Sequence, residues 1–462
     1  MAKKVDFTKN WTTDNNGVPL NDEEVERYIA VKPSVNQVRL SEKPFYLFMH
    51  FGMNTATGRE WGSGLEKARD FTIKKIKADQ WVKCAQSAGA TGIVLTCKHH
   101  DGFCLWPSKY TDFTVENTDF KGDIVKMVSD ACHDAGLDFG IYLSPWDMHE
   151  KSYGTKAYDD FYCNQLEELL TGYGKISEVW LDGAKGANAR YFEYDWNRYY
   201  ALVRDYQPTA NIAICGPDIR WVGNEKGIGR KNEYSVVPKE LQSCEAIQEK
   251  SQRHELSPID IVGFDSKDED LGSRKVLKTV KDLAWYPAEV DVSIRNGWFW
   301  KKGENGTVKS VKKLREIYIN SVGNNSTLIL NVPPNDKGVI GSKEAKRLKE
   351  LGASIREITA KPIIAERLGA FRETDGFIDF KFDSEKTLKY IILKENIRYS
   401  QRVEAFDIYV GTEDGKYKLV HSGTIIGSQK IVEIKPRKCT SARLVIRQSR
   451  SNPVIKEIGF YE

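Results

Sequence analysis

Between Phe45 and Asn335, short and nearly unbroken apolar runs alternate with stretches of helical spacing. Phe45–Gly52, the run opening at Gly92, Phe139–Pro145, Glu178–Gly183, Asn211–Gly216, Glu289–Ile294 and Leu328–Pro334 read as strands. Strands buried on both faces show continuous apolar character rather than alternation. One more strand is expected near Ser243–Ile247, within an irregular stretch over 226–265. Helices are predicted over Ala78–Ala88, Asp123–Ala135, Asp159–Tyr173, Asp195–Tyr206, Gly272–Ala284, Thr307–Val322 and Ser342–Ile358. A short helix near Glu23–Val31, capped by Asn21, belongs to a polar lead-in. About eight strand–helix units in one catalytic-sized region suit a closed (β/α)8-like barrel better than an open sheet.

The texture changes near Leu368. Gly376–Phe382, Leu388–Leu393, Val403–Val410, Lys418–Val420, Gln429–Ile434 and Ala442–Ile446 are short runs separated by turn residues. They predict a C-terminal antiparallel β-sandwich of roughly 95 residues. The expected division is a barrel with its lead-in over 1–358 and a β-domain over 359–462.

Composition narrows the classes. Among 462 residues, 69 Lys and Arg oppose 65 Asp and Glu, a net charge of +4. No clustered basic face points to nucleic acid. No apolar run is long enough to span a membrane. The N-terminus, Met1-Ala-Lys-Lys-Val-Asp6, lacks the apolar core of a signal peptide, so the sequence as it stands reads as cytoplasmic; secretion or periplasmic export would require a leader that has been removed. Cys84, Cys97, Cys104, Cys132, Cys163, Cys215, Cys244 and Cys439 have no CxxC spacing and read as buried thiols rather than a disulfide or zinc framework. The 11 Trp, 21 Tyr and 19 Phe suit a core, and equally the flat C–H faces of sugars.

Chemistry is expected at the carboxyl ends of the strands, where barrels of this kind keep their sites. Asp182 follows Val179-Trp-Leu181 and reads either as a nucleophile or as a cap on the turn beginning at Gly183. Glu225, in the loop after the fifth strand and near Trp221, reads as a general acid or as a solvated loop residue. His99 and His100 could ligate a metal together only if the strand has already ended, since adjacent strand residues face opposite ways. Hydrogen bonding to a polyol and a purely structural role are the other readings of this pair.

Taken together, Phe48-Met-His-Phe-Gly52, Glu60-Trp-Gly62, Lys98-His-His-Asp-Gly-Phe103, Trp106-Pro-Ser108, Asp112-Phe-Thr114, Tyr142-Leu-Ser-Pro-Trp146, Val179-Trp-Leu-Asp-Gly183 and Gly297-Trp-Phe299 resemble the α-L-fucosidases of glycoside hydrolase family 29. The resemblance runs from about Phe45 to Asn335 in family order, and the C-terminal β-domain is similar to the family's usual arrangement. Arg220-Trp-Val-Gly-Asn-Glu225 further resembles the subgroup that acts on α-1,3 and α-1,4 fucosyl linkages, as in Lewis-type oligosaccharides.

The resemblance implies a fucosylated oligosaccharide or glycan as substrate and a retaining hydrolysis, with Asp182 as nucleophile, Glu225 as acid/base, and no metal or organic cofactor. It implies that His50, Glu60, Trp61, His99, His100, Tyr142, Trp180 and Trp298 line the fucose pocket. An apolar wall is expected for the methyl group that fucose carries in place of a 6-hydroxyl. Asp291 and Arg295, by position on and after the seventh strand, are candidates for aglycone contact. The alternatives are a catalytically weak or inactive fucosidase-like carbohydrate-binding protein, a retaining glycosidase for another sugar, and a metallohydrolase. A pure binder needs neither Asp182 nor Glu225.

Overall fold

The computed structural model describes residues 11–13, 18–186, 192–243, 263–370, 376–413 and 415–462. Six strands come first: β1 (Phe45–Met49), β2 (Gly92–Lys98), β3 (Asp138–Leu143), β4 (Glu178–Leu181), β5 (Asn211–Ile214) and β6 (Arg220–Trp221). A separate antiparallel pair follows, β7 (Val236–Pro238) with β8 (Leu283–Trp285), and then β9 (Ala288–Ser293) and β10 (Thr327–Asn331). The main sheet has the order β5-β4-β3-β2-β1-β10-β9-β6, with every neighbouring pair parallel. Its two edges meet through a parallel bridge between Ala213 and Ile219, where the Ile214 N–H donates to the Ile219 carbonyl at 2.9 Å. The sheet is thus an eight-stranded ring closed at that seam by a single bridge.

Helices Ala78–Ala88, Ile124–Asp134, Lys156–Gly172, Trp196–Tyr206, Val311–Ser321 and Ser342–Glu357 accompany the ring. Their starts follow local chemistry. Asp123, Asp195 and Ser310 each accept from the backbone N–H three residues on, satisfying a donor that the first helical turn leaves open. No helix separates β5 from β6. The chain turns back within five residues, with Ile214 at φ 69°, a left-handed conformation that a β-branched residue adopts only at a cost. Asp218 staples this turn, accepting from the Ile212 N–H at 2.7 Å and pairing with Arg204 at 2.7 Å.

Two expectations are corrected. The sixth strand of the ring is Arg220–Trp221; the strand expected near Ser243–Ile247 lies, beyond Ser243, outside the described residues. Two residues carry too little periodicity to announce a strand. The helix expected over Gly272–Ala284 is one turn, Arg274–Leu277, followed by β8. The Arg27 guanidinium takes the carbonyls of Leu277 and Val280, which removes them from a continuing helical ladder.

The C-terminal strands are β11 (Pro362–Glu366), β12 (Phe377–Glu395), β13 (Val403–Gly411), β14 (Tyr417–Gly423), β15 (Lys430–Ser449) and β16 (Ile455–Tyr461). Their order is β11-β16-β12-β15-β13-β14. The long β12 and β15 each merge two of the expected runs, and their pairing shifts register between Lys381 and Lys386 and again between Leu388 and Tyr390. These shifts bend the sheet, so both halves bury Phe380, Ile391, Phe406, Ile408, Val432, Leu444 and Phe460 in one core. Glu404 on β13 joins this domain to the segment after β6, bonding Arg274 at 2.7 Å and Arg450 at 3.0 Å, all three side chains being buried. No helix among the described residues is long and apolar enough to cross a membrane.

Inside the ring, alternate residues face one shared volume. Phe48 meets Tyr142 and Trp180 at 5.8 and 5.1 Å between ring centroids. Two carboxyls lie at this level, Glu178 and Glu289, both fully buried. Burial first, then mutual repulsion, pushes Glu178 well above the ordinary carboxyl range; burial pushes Glu289 up to about 7. The folded state therefore keeps protons that the unfolded chain releases near about pH 4. Stability contributed this way is present at acid pH and is lost as pH rises through about 7. Glu178→Gln should lower the melting temperature less than wild type does between about pH 5 and about pH 8. Identical pH dependence in thermal melts would show that the pair is not the source.

Candidate active site

Every strand of the ring runs the same way, so the carboxyl ends open at one mouth, where Asp182, Tyr142, His50, His99, His100 and Trp298 come together. Asp182 directly follows β4. Its Oδ1 accepts from the Ala184 N–H at 2.7 Å and its Oδ2 from the Tyr142 hydroxyl at 2.9 Å, with 23% of the side chain exposed. Tyr142, on β3, is fully buried, and Trp180 lies against it at 5.3 Å with the rings 28° apart. The Trp180 indole N–H donates to Glu289 at 2.9 Å. A line of contacts thus runs from the barrel interior to the Asp182 carboxylate.

β2 ends at Lys98, so His99 and His100 are free of strand alternation and their rings lie 4.0 Å apart. His100 Nδ1 is 2.7 Å from the Ser144 hydroxyl, and that hydroxyl donates to the Trp146 carbonyl at 2.6 Å. Ser144 therefore accepts, Nδ1 carries the hydrogen, and Nε2 is left as an acceptor 3.9 Å from Asp182. His50, which follows β1, is fixed by the same logic. Asn331 donates its amide to Ser293 at 2.9 Å and to the Trp298 carbonyl at 2.8 Å, so its oxygen accepts from His50 Nδ1 at 2.9 Å. Burial lowers the pKa of all three histidines: His50 to about 3, His99 well below the ordinary value, and His100 against the opposing pull of Asp182 and Asp147. They are neutral at physiological pH, and the Nε2 atoms of His50 and His100 are left as acceptors. His99 Nδ1 is buried with no hydrogen-bond partner among the described residues. Among the described residues no group of three His, Cys, Asp or Glu could hold a metal ion.

Trp298 lies 5.0 Å from His50, and Phe299, fully buried, presents its edge to His50 and His99 at 5.4 and 4.9 Å. Glu60 holds this loop: it accepts from the Trp298 N–H and pairs with Lys301 at 3.1 Å. Gly297 is required beside it, because φ is 71° and a Cβ would fall 2.6 Å from the Glu60 carboxylate. Trp61 is half-exposed at the rim, edge-on to Trp146 at 5.6 Å and to His100 at 6.1 Å. Glu225 is exposed in the loop after β6. Four residues before it, the Trp221 indole donates to Asp291 at 2.9 Å. Arg295, a candidate for aglycone contact, is instead buried and paired with Glu344 at 3.0 Å.

Sequence reasoning missed Asn331, Ser144 and Phe299. A polar residue closing the apolar run Leu328-Ile-Leu330 was the available signal for Asn331.

A mouth that sets a carboxylate among neutral imidazoles and aromatic walls, at the carboxyl end of a parallel barrel, has the polar and apolar surface that a sugar-cleaving hydrolase requires. Comparison with known proteins agrees. Residues 51–357 match the family model described as α-L-fucosidase. Alpha-L-fucosidase 1 of Arabidopsis thaliana is 34% identical over 465 residues, covering 93% of this chain and 87% of the plant protein. A glycoside hydrolase 29 family member from an unknown rumen bacterium superposes with a TM-score of 0.80 at 32% identity, over 93% of this chain and 77% of that one. The Ruminococcus gnavus GH29 fucosidase in complex with fucose does so with a TM-score of 0.78 at 28% identity, over 98% of each chain. The chain belongs to the α-L-fucosidase family, glycoside hydrolase family 29.

Asn331→Ala removes the bond that fixes His50, one to Ser293 on β9 and one that holds the Trp298 loop. Losing about 1–3 kcal/mol should lower kcat/KM for an aryl α-L-fucoside about 5- to 150-fold. An unchanged kcat/KM would remove Asn331 from the working site.

Proposed function

We propose that this α-L-fucosidase hydrolyses terminal α-1,3- and α-1,4-linked fucose with retention of configuration. The observation that carries the reading is Asp182: an accessible carboxylate with both oxygens held, one by Ala184 and one by Tyr142. Its orientation is set before substrate arrives, as a nucleophile requires. In the first step Asp182 attacks the anomeric carbon, the glycosidic C–O bond breaks, and Glu225 gives its proton to the departing sugar oxygen. In the second step Glu225 takes a proton from water, the resulting oxygen attacks the same carbon, and the bond to Asp182 breaks. Fucose leaves with its original anomeric configuration.

In this reading His50 and His100 accept from fucose hydroxyls through Nε2, and His99, Glu60 and Tyr142 complete the polar side. Trp180, Trp298 and Phe299 supply apolar surface for the sugar's methyl group and C–H faces, while Trp61 at the rim meets the sugar's outer edge. The linkage preference is supported by the similarity of Arg220-Trp-Val-Gly-Asn-Glu225 to the α-1,3/1,4 subgroup. The binding of fucose by the Ruminococcus gnavus relative supports a fucose-containing substrate for this chain. The charge balance and the absence of long apolar helices among the described residues favour free glycans or glycoconjugates over nucleic acid or membrane partners.

Asp182→Ala should abolish turnover while leaving fucose binding measurable by calorimetry; residual turnover would end the nucleophile assignment. Glu225→Ala should lose about 10²- to 10⁴-fold on natural glycans and far less on aryl fucosides with good leaving groups, which need little acid assistance. Equal losses on both would count against the acid role. Linkage is read from fucose released by 3-fucosyllactose and 2′-fucosyllactose in parallel. Release from the first alone is expected; comparable release from both would overturn the subgroup while keeping the family.

A further inference from the structure

The hydrolysis makes no direct use of Lys98, the last residue of β2, although its side chain is wholly buried. The pairing of β2 with β3 shifts register here. Thr96 lies opposite Tyr142 and Lys98 opposite Leu143, so two residues of β2 advance against one of β3. A bulge of this kind re-aims a side chain. Lys98 reaches the helix Lys156–Gly172, where its ammonium bonds Gln165 at 2.9 Å and lies 5.2–5.9 Å from the ring centroids of Tyr158, Phe161 and Tyr162. Its carboxylate partner is Asp147, at 2.8 Å and also buried.

Asp147 in turn shapes the loop after β3. Its Oδ1 accepts from the N–H groups of His149 and Glu150, both at 2.9 Å. Two backbone bonds tie this loop to the end of β2. The Ser144 N–H donates to the Lys98 carbonyl at 3.0 Å, and the Met148 N–H to the His100 carbonyl at 2.8 Å. Gly102, at φ 85°, has no room for a Cβ against the Asp147 carboxylate. Trp146 packs on His100 at 4.8 Å between centroids, with the rings 30° apart. Apolar side chains of the same volume would fill this space without the cost of desolvating two charges. What the ion pair adds is a fixed direction for Asp147, and so for the turn that Asp147 holds.

We propose that Lys98 is a positioning residue for His100: by holding Asp147 it fixes the turn in which the Trp146 carbonyl takes the Ser144 hydroxyl hydrogen, leaving Nε2 of His100 to accept from the sugar. The proposal rests on the contact between His100 and fucose given above. With the Trp146 carbonyl in place, the Ser144 hydroxyl accepts from the His100 Nδ1–H. If the turn moves, that hydroxyl is released to donate to Nδ1 instead. The ring hydrogen then resides on Nε2. That nitrogen no longer accepts from a sugar hydroxyl, and its N–H competes for the Asp182 carboxylate, 3.9 Å away.

Lys98→Met keeps the shape of the stem and removes the ammonium. Asp147→Asn combined with it leaves no buried charge unpaired, which keeps the test open should the single variant fail to fold. Either variant should lower kcat/KM about 10- to 100-fold, by equal factors on 3-fucosyllactose and on an aryl fucoside, because the fault lies on the fucose side of the cleaved bond. In a His100→Ala background the same changes should cost less than about threefold more, since the residue they act through is gone. Nitrogen-15 spectra of histidine-labelled enzyme, with the His100 signals identified by their loss in His100→Ala, should place the hydrogen on Nδ1 in wild type and on Nε2 in the variant. A full further loss in the His100→Ala background, or an unchanged tautomer, would overturn the proposal and leave the pair a role in the fold alone. So would recovery of wild-type melting temperature and kcat/KM together in the neutral double variant. If His100→Ala itself keeps wild-type kcat/KM, the fucose contact fails, and the role of Lys98 falls with it.

Discussion

Eight parallel strands closed into a ring send every second side chain into a volume that water does not fill, and that volume tolerates no uncompensated charge. This constraint governs how the site is made. Burial and, for Glu178, the charge of Glu289 make this interior pair keep protons that the same groups lose in water. Glu289 then takes the Trp180 indole, Trp180 backs Tyr142, and Tyr142 holds Asp182. The histidines meet the same demand by staying neutral, each of two bound through one ring nitrogen so that the other faces the mouth as an acceptor. Glu178, Glu289 and the three histidines are held uncharged up to the mouth, where Asp182 stands.

The outer half of the site is built differently. Between β6 and β8 the described residues form loops and short elements, and they depend on other parts of the chain for their shape. Arg230 gathers carbonyls from two of its segments, and Arg220 reaches back from β6 to the buried carboxylate of Glu233. The C-terminal sheet contributes through Glu404, which clamps Arg274 and Arg450. Tyr234, Val237, Leu241, Leu271 and Tyr286 pack with Ile425 from that same domain. The β-domain thus supports the segment beyond β6, and breaking such a buried ion cluster by removing one partner costs about 3–5 kcal/mol.

Much of this was legible in the sequence because strands buried on both faces write themselves as apolar runs. β1, β2, β3, β4, β5, β9 and β10 all announced themselves, and Asp182 stood out as the carboxylate that ends one of them. What stayed hidden depended on partners distant along the chain. β6 is two residues long and exists because β9 offers it hydrogen bonds. The helix expected over Gly272–Ala284 stops because Arg27, some 250 residues earlier, takes its carbonyls. Asn331 looks like an ordinary strand end until His50, Ser293 and the Trp298 carbonyl are placed around it. Glu60 was read as a sugar ligand by its motif, and its carboxylate also ties down a loop nearly 240 residues away.

The helixless turn between β5 and β6 has one more consequence. Asp182 leaves the end of β4 and the Glu225 loop leaves the end of β6, with only β5 between them. The two anchor points are therefore two strand spacings apart, about 9–10 Å, a length fixed by backbone hydrogen bonding rather than by any side chain. The chain carries its own ruler for the distance between these two anchor points. Replacements in the segment beyond β6 leave that ruler unaltered, because the segment begins only after the strand has been paired.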